Sequence, residues 1–261
     1  MIMASIEKLS PRQTALALFA AVAFAVPSVQ AAPRWQYVRE VNQALPSGMS
    51  FSNAPSEAYQ AAIQKVILAH PASEAAAIAG ALATGATLER AKEISEAIGK
   101  LFPSHPDLAA QAVEIAREIT LALNRKLRER EVDPKGAAEP VPLTPEMVAT
   151  EIGNVAAILA YSLDANNPES QTAIIALIQG VVLVDPQIDY TAKVVEIFIA
   201  SLRSLGVPEA LLDNVETGVL TVIGDPVIRE QIRASLQRLK GDEVMFPPGF
   251  IIRQETPVTN G

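Results

Sequence analysis

The two histidines are the first place to look for chemistry. His70 and His105 each precede a proline, and they stand 35 residues apart in the chain. Two imidazoles with carboxylates could ligate zinc. No His-Glu-x-x-His pair sets them on one face of a helix. Separated by one helix pair, they would sit about 10 Å or more apart, given ordinary helix packing distances. Both are expected to be turn residues at helix starts. Acid pairs are plentiful, as at Glu89/Glu93/Glu96 and Glu114/Glu118. Glycosidases use two carboxyl groups about 5–9 Å apart in a cleft. Here the acids alternate with Arg90, Lys92 and Arg117, the pattern of a solvated helix face with local ion pairs. No Gly-x-Ser-x-Gly elbow marks Ser201 or Ser235 as a nucleophile, and no phosphate-binding loop is present. The chain has no cysteine, which excludes thiol catalysis and Cys-ligated zinc. No catalytic, cofactor-binding or metal-binding residue is assigned, no cofactor is implied, and the expectation is a protein that is not an enzyme.

Residues suited to contact are easier to find. Trp35 and Tyr37 lie near one end of the chain, and Phe246, Phe250, Ile251 and Ile252 near the other. Aromatic and aliphatic side chains of this kind anchor interfaces when exposed. An apolar extended segment can also add to a partner's groove or strand. Folded back on the chain's own helices, or buried in a homo-oligomer, the same residues would cover a hydrophobic end. The densest charge run, Asn124 to Glu131, places cations in the last turns of a long helix, where the dipole favours them. Interleaved Glu129 and Glu131 weaken it as a docking site for an acidic partner.

The elements that must position these residues are helices. Leu88, Ala91, Ile94, Ile98 and Leu101 fall on one face of a helix, as do Leu108, Ala112, Ile115, Ile119, Leu123 and Leu127. Each stripe needs a partner surface. His70-Pro71, His105-Pro106, Asn167-Pro168, Asp185-Pro186 and Asp225-Pro226 each close one helical pattern and open the next. Proline suits the first helical position and ends the helix before it. A preceding Asn or Asp caps the new helix through its side-chain oxygen. Gly85 and Gly206 are expected as helix C-caps. The spacing predicts about nine helices over 56–69, 71–84, 87–102, 106–130, 145–163, 168–184, 186–205, 208–223 and 226–240. Connections this short fold consecutive helices into antiparallel hairpins. The expected fold is therefore all-α, with stacked antiparallel helix pairs in a helical-repeat-like array or multi-helix bundle. The 35-residue step is similar to the periods of tetratricopeptide and HEAT repeats, but the Trp, Leu-Gly and Tyr positions of a tetratricopeptide repeat are absent and the later junctions are spaced irregularly. Residues 172–184 form the most apolar run, expected as a central helix covered by the helices on either side of it in sequence.

Composition divides the rest. Lys8 and Arg12 precede an apolar run of about 13 residues, short of the roughly 20 that span a bilayer. Pro27 and the small residues up to Ala31 follow, the arrangement of a cleavable export signal over residues 1–31. No adjacent arginine pair precedes the run, so general secretion is expected, with a periplasmic or extracellular destination and no membrane span after cleavage. An N-terminal arm would occupy 32–55, a first helical subdomain 56–130, a Pro-rich linker 131–144, a second helical subdomain 145–240 and an extended tail 241–261. The chain carries a net charge of −8, and cleavage would leave it near −9. Such a surface repels nucleic acid. The leading expectation is an exported interaction or scaffold protein of a bacterial-type cell envelope, binding a protein partner through a helical surface. A carrier of an apolar small molecule and a carboxylate-based hydrolase are the alternatives.

Overall fold

The computed structural model describes residues 34–132, 143–164, 167–184 and 190–241. The proposed export signal and most of the linker and tail lie outside them. Eleven α-helices occur among the described residues, and no strand. They are α1 (Arg34–Ala44), α2 (Ser56–Ala69), α3 (Ala75–Gly85), α4 (Leu88–Gly99), α5 (Pro106–Ala109), α6 (Ala112–Val132), α7 (Pro145–Tyr161), α8 (Pro168–Val182), α9 (Thr191–Ser204), α10 (Glu209–Val222) and α11 (Pro226–Gly241). Short 3-10 turns cover Ala72–Glu74 and Phe102–Ser104. No described helix is long and apolar enough to cross a membrane.

The Asp225-Pro226 junction works as its residue types require, whereas Pro71 leads into a 3-10 turn with α3 beginning only at Ala75, and Asp185-Pro186 lies outside the described residues. Asp225 Oδ1 accepts from the backbone N–H of Val227 at 2.7 Å and of Ile228 at 3.3 Å, capping α11. Thr144 Oγ1 accepts from the Met147 N–H at 3.2 Å and caps α7. Gly206 ends α9 in the left-handed region, φ +79°. Its N–H bonds the Arg203 carbonyl and the Val207 N–H bonds that of Leu202, which satisfies two carbonyls of the last turn. Gly85 differs from the expectation. It closes α3 without a positive φ, and its missing side chain lets Val38 of α1 approach, since a β-carbon there would meet Val38 Cγ2 at 3.4 Å.

Helices alternate between two layers. In one, α1 packs on α3, α3 on α6, α6 on α8 and α8 on α10; in the other, α2 packs on α4, α4 on α7, α7 on α9 and α9 on α11. Across the layers, α1 pairs with α2, α3 with α4, α6 with α7, α7 with α8, α8 with α9 and α9 with α10. Each hairpin thus adds one helix to each layer, the construction of a helical-repeat array. The α4–α7 and α6–α8 contacts join helices that precede residues 131–144 to helices that follow them.

Three expectations change. Residues 34–44, expected within an N-terminal arm, form α1. The single helix expected over 106–130 is two, α5 and α6, broken at Ala110 and Gln111. The Gln111 N–H turns to the Leu108 carbonyl there, and both Leu108 and Ala112 stay buried. The most enclosed helix is α9, where ten of its 14 residues are buried, Ile197 to Leu202 without a break. In α8, Leu183 just past the helix is exposed, and its main cover comes from α6 and α10, because its neighbours in sequence belong to the other layer.

Candidate functional site

His70 sits at the end of α2. Pro71 forces it into an extended conformation, φ −116° and ψ 159°. The ring thereby turns back towards α1. Its Nε2 lies 2.7 Å from Glu40 Oε2, and its Nδ1 lies 3.1 Å from Glu74 Oε2. Gln36 donates to Glu40 Oε1 at 2.9 Å, and the Tyr37 hydroxyl donates to Glu74 Oε2 at 3.1 Å. The Tyr37 and His70 rings meet edge to face, 5.4 Å between centroids. The hydrogen bond to Glu40 holds the imidazolium and raises the His70 pKa above its ordinary value, against a smaller effect of burial. Glu40 is held below the usual carboxylate range, by Gln36 first and His70 second. His105 stands outside this cluster, at the start of α5, without a side-chain cap bond. Among the described residues no group of three His, Cys, Asp or Glu could hold a metal ion.

The acid row of α4 is less solvated than its spacing suggests. Glu96 accepts from Gln60 Nε2 at 2.8 Å, and Lys100 donates to Gln60 Oε1 at 2.9 Å, so the row ties α4 to α2. Arg90 donates to the Ala54 carbonyl at 2.7 Å and lies 4.5 Å from the centre of the Tyr59 ring. Glu93 pairs with Arg90 at 3.4 Å, and burial raises its pKa. Glu114 and Arg117 are half-exposed and pair at 3.8 Å, as expected of a solvated face.

Glu151 on α7 was not singled out by motif, although it is the only acid between Met147 and Leu163. An isolated charge in such a run is the signal. Its Oε1 accepts from the Lys92 N–H of α4 at 3.0 Å. Burial pushes its pKa up to about 7, offset in part by the Lys92 charge. That protonation range suits a general acid. Next along α7, Asn154 Oδ1 accepts from Ser201 Oγ at 3.2 Å. Ser201 is buried, and no base contacts its hydroxyl there. Ser235 accepts from Arg238 at 3.0 Å.

The charge run of α6 serves its own layer and the next. Asn124 is buried and accepts from the Tyr190 hydroxyl, whose pKa burial raises. Lys126 donates to the Ala86 carbonyl just beyond α3. Arg125 and Arg128 remain exposed. A pocket lined by Thr120, Asn124, Tyr190 and Thr191 holds about 10 Å³, and one between Arg203, Leu212 and Leu236 holds about 10 Å³. Each is room for one water, far below the several hundred Å³ of a small-molecule site.

The residues proposed for contact separate. Tyr37 is fully buried, a core residue of α1 with no surface for a partner, whereas Trp35 is 62% exposed with the Arg39 guanidinium 5.1 Å from its ring centre. Phe246, Phe250, Ile251 and Ile252 lie outside the described residues. A surface that motif reading passed over lies on α11. Pro226, Val227, Glu230, Gln231 and Ala234 line a shallow, mostly apolar depression of about 460 Å³, with Val227 63% exposed. These residues recur at helical spacing on the side away from Ile232, Ser235 and Leu236, which are buried.

The chain matches no protein-family model, no curated protein and no solved structure.

Proposed function

We propose that this chain is an exported, non-enzymatic scaffold protein of the cell envelope that binds a protein partner through the outward face of α11. The observation that carries the reading is the apolar depression at Val227 and Ala234 on the last described helix of its layer. Each layer of the array grows by laying one helix beside the one before it. The outward side of α11 is where a further helix of that layer would lie, so its shape suits a helix. Small Ala234 leaves a hole and Val227 a ridge, the features by which helices interlock. Glu230 borders the depression but pairs with Arg233 at 3.4 Å, and α11 carries Arg229, Arg233, Arg238 and Lys240 beside that one acid. The partner element is therefore an amphipathic helix with an apolar stripe and an acidic flank, drawn in by the basic residues of α11. Export rests on the residue pattern of 1–31 and sets the compartment in which the partner is sought.

The test is capture from envelope extract with the full chain and with its Val227→Glu variant. A partner bound in stoichiometric amount by the first and lost by the second supports the reading. A partner retained by Val227→Glu moves the contact elsewhere on the array. Lipid captured without protein favours the carrier, and neither protein nor lipid would direct attention to Glu151. N-terminal sequencing of the chain recovered outside the cytoplasm tests export directly, since cleavage after Ala31 would leave Ala32 first.

A further inference from the structure

The two ring nitrogens of His70 both face carboxylate oxygens, Nε2 towards Glu40 at 2.7 Å and Nδ1 towards Glu74 at 3.1 Å. A neutral imidazole has one N–H and one lone pair. It can donate to one of these carboxylates only, and its lone pair would then point at the other. An imidazolium donates to both. The site is thus built for the charged ring, and it joins α1 to the turn after α2 across 30 residues of chain. We propose that Glu40, His70 and Glu74 form a proton-operated latch that fastens α1, the first described helix of its layer, onto the rest of the array.

The rest of the contact is apolar or neutral and does not titrate in the same range. Tyr37 and Val41 of α1 are buried, Val38 lies against Gly85, and Asn42 Oδ1 accepts from the Phe51 N–H at 2.7 Å. The charged groups around the ring are few. On α1 they are Glu40 and, acting on Glu40, Arg39. On the following turn there is Glu74, which also takes the Tyr37 hydroxyl. On α2 itself Glu57 and Lys65 are exposed, and Tyr59 lies under Arg90. Helix α3 has no titratable side chain.

The sign follows from the two directions of shift. The His70 pKa is raised on folding, so its contribution is full below the ordinary value of 6.5 and is lost as pH rises through the folded pKa. The Glu40 pKa is lowered, so its contribution is present above 4.5 and is lost as pH falls through its folded pKa. The latch is closed between those limits. In alkaline solution α1 keeps its apolar contacts and neutral hydrogen bonds but loses one of the two hydrogen bonds of the ring together with its charge.

Trp35 is the only tryptophan of the chain and belongs to α1, so its fluorescence anisotropy reports how firmly that helix is held. The experiment follows this anisotropy on the full chain from about pH 5.5 to about pH 9, beside an NMR titration of the His70 ring. The expected result is a fall in anisotropy whose midpoint coincides with the His70 titration, above the ordinary histidine range. His70→Gln removes the transition, and His105→Gln leaves it in place. A transition that survives in His70→Gln overturns the proposal, as does the absence of any transition in the unmodified chain. If His70→Gln fails to fold, the wild-type titration decides: a His70 pKa at or below the ordinary range overturns the latch, because a ring held as the imidazolium cannot lose its proton that early.

Discussion

Gly153 of α7 meets Ile197 of α9 with no room for a methyl group between them. A β-carbon at position 153 would stand 2.7 Å from Ile197 Cβ, 2.8 Å from its Cγ2 and 2.9 Å from the Val194 carbonyl oxygen. Two of these three neighbours are backbone or branch-point atoms that cannot swing away. Gly218 is also crowded, but there the close atom is Ile175 Cγ2, the end of a side chain, at 2.5 Å. Gly153→Ala should therefore force α7 and α9 apart and cost about 2–4 kcal/mol, near the upper range of overpacking effects. Gly218→Ala should cost about 1 kcal/mol or less, because alanine favours the helix and Ile175 can change rotamer. Urea unfolding of both variants gives the comparison, and equal losses would mean that α7 and α9 are not in rigid contact.

The Glu151 carboxyl makes a second prediction, with the same sign as His70 and a lower pH window. Its folded pKa of about 7 lies above the ordinary 4.5. As pH rises, the unfolded chain loses this proton first, so stability falls between about pH 4.5 and about pH 7. Glutamine keeps an oxygen for the Lys92 N–H and has no proton to lose. Glu151→Gln should match the unmodified chain near pH 4.5 and exceed it by about 1–3 kcal/mol near pH 8. Denaturant midpoints at the two pH values test this. A loss at pH 8 would mean that the ionised carboxylate is stabilised in place, against the direction argued here.

Why Glu151 escaped a motif reading is instructive. Helices were legible because prolines, caps and apolar stripes are local signals: α2 spans the expected 56–69, and the starts of α7 and α11 fall at the prolines. The break at Ala110 and Gln111 was not legible, because both residues favour helix and the cause is the packing of Leu108 and Ala112. Layer order was also hidden. Residues 168–182 show how apolar α8 is, but not that α6 and α10 cover it, since hairpin geometry decides which helix neighbours which. The same holds for the candidate site. His70 could be read as a turn residue from its proline. That Glu40, 30 residues earlier, meets its other nitrogen depends on how α1 docks.

Capping gives a prediction that bears on the α11 surface. Asp225 Oδ1 satisfies the Val227 and Ile228 N–H groups, and Val227 itself belongs to the apolar depression. Asp225→Ala should cost about 1 kcal/mol of stability, as loss of an N-cap does. Asp225→Asn, which keeps the acceptor oxygen, should cost only a few tenths. Thermal unfolding of the pair measures the difference. Partner capture should weaken in Asp225→Ala through fraying of the first turn, and less than in Val227→Glu, which places a charge in the contact itself.

Two tyrosines should respond to loss of their hydroxyls in opposite ways. The Tyr59 hydroxyl is buried and has no hydrogen-bond partner among the described residues. Its ring packs edge to face on Phe51, 5.1 Å between centroids, and under the Arg90 guanidinium. The Tyr190 hydroxyl donates to buried Asn124. An unpaired buried hydroxyl carries a desolvation cost of about 1–3 kcal/mol, so Tyr59→Phe should leave the ring contacts intact and raise stability by up to about that amount. Tyr190→Phe takes a donor from the Asn124 oxygen and should lower stability by a similar amount. Chemical denaturation of the two variants separates the cases. If Tyr59→Phe destabilised the chain, the hydroxyl would have to be bonded through an ordered water, and a water bridging Tyr59 to the α2–α4 contact would be the feature to seek.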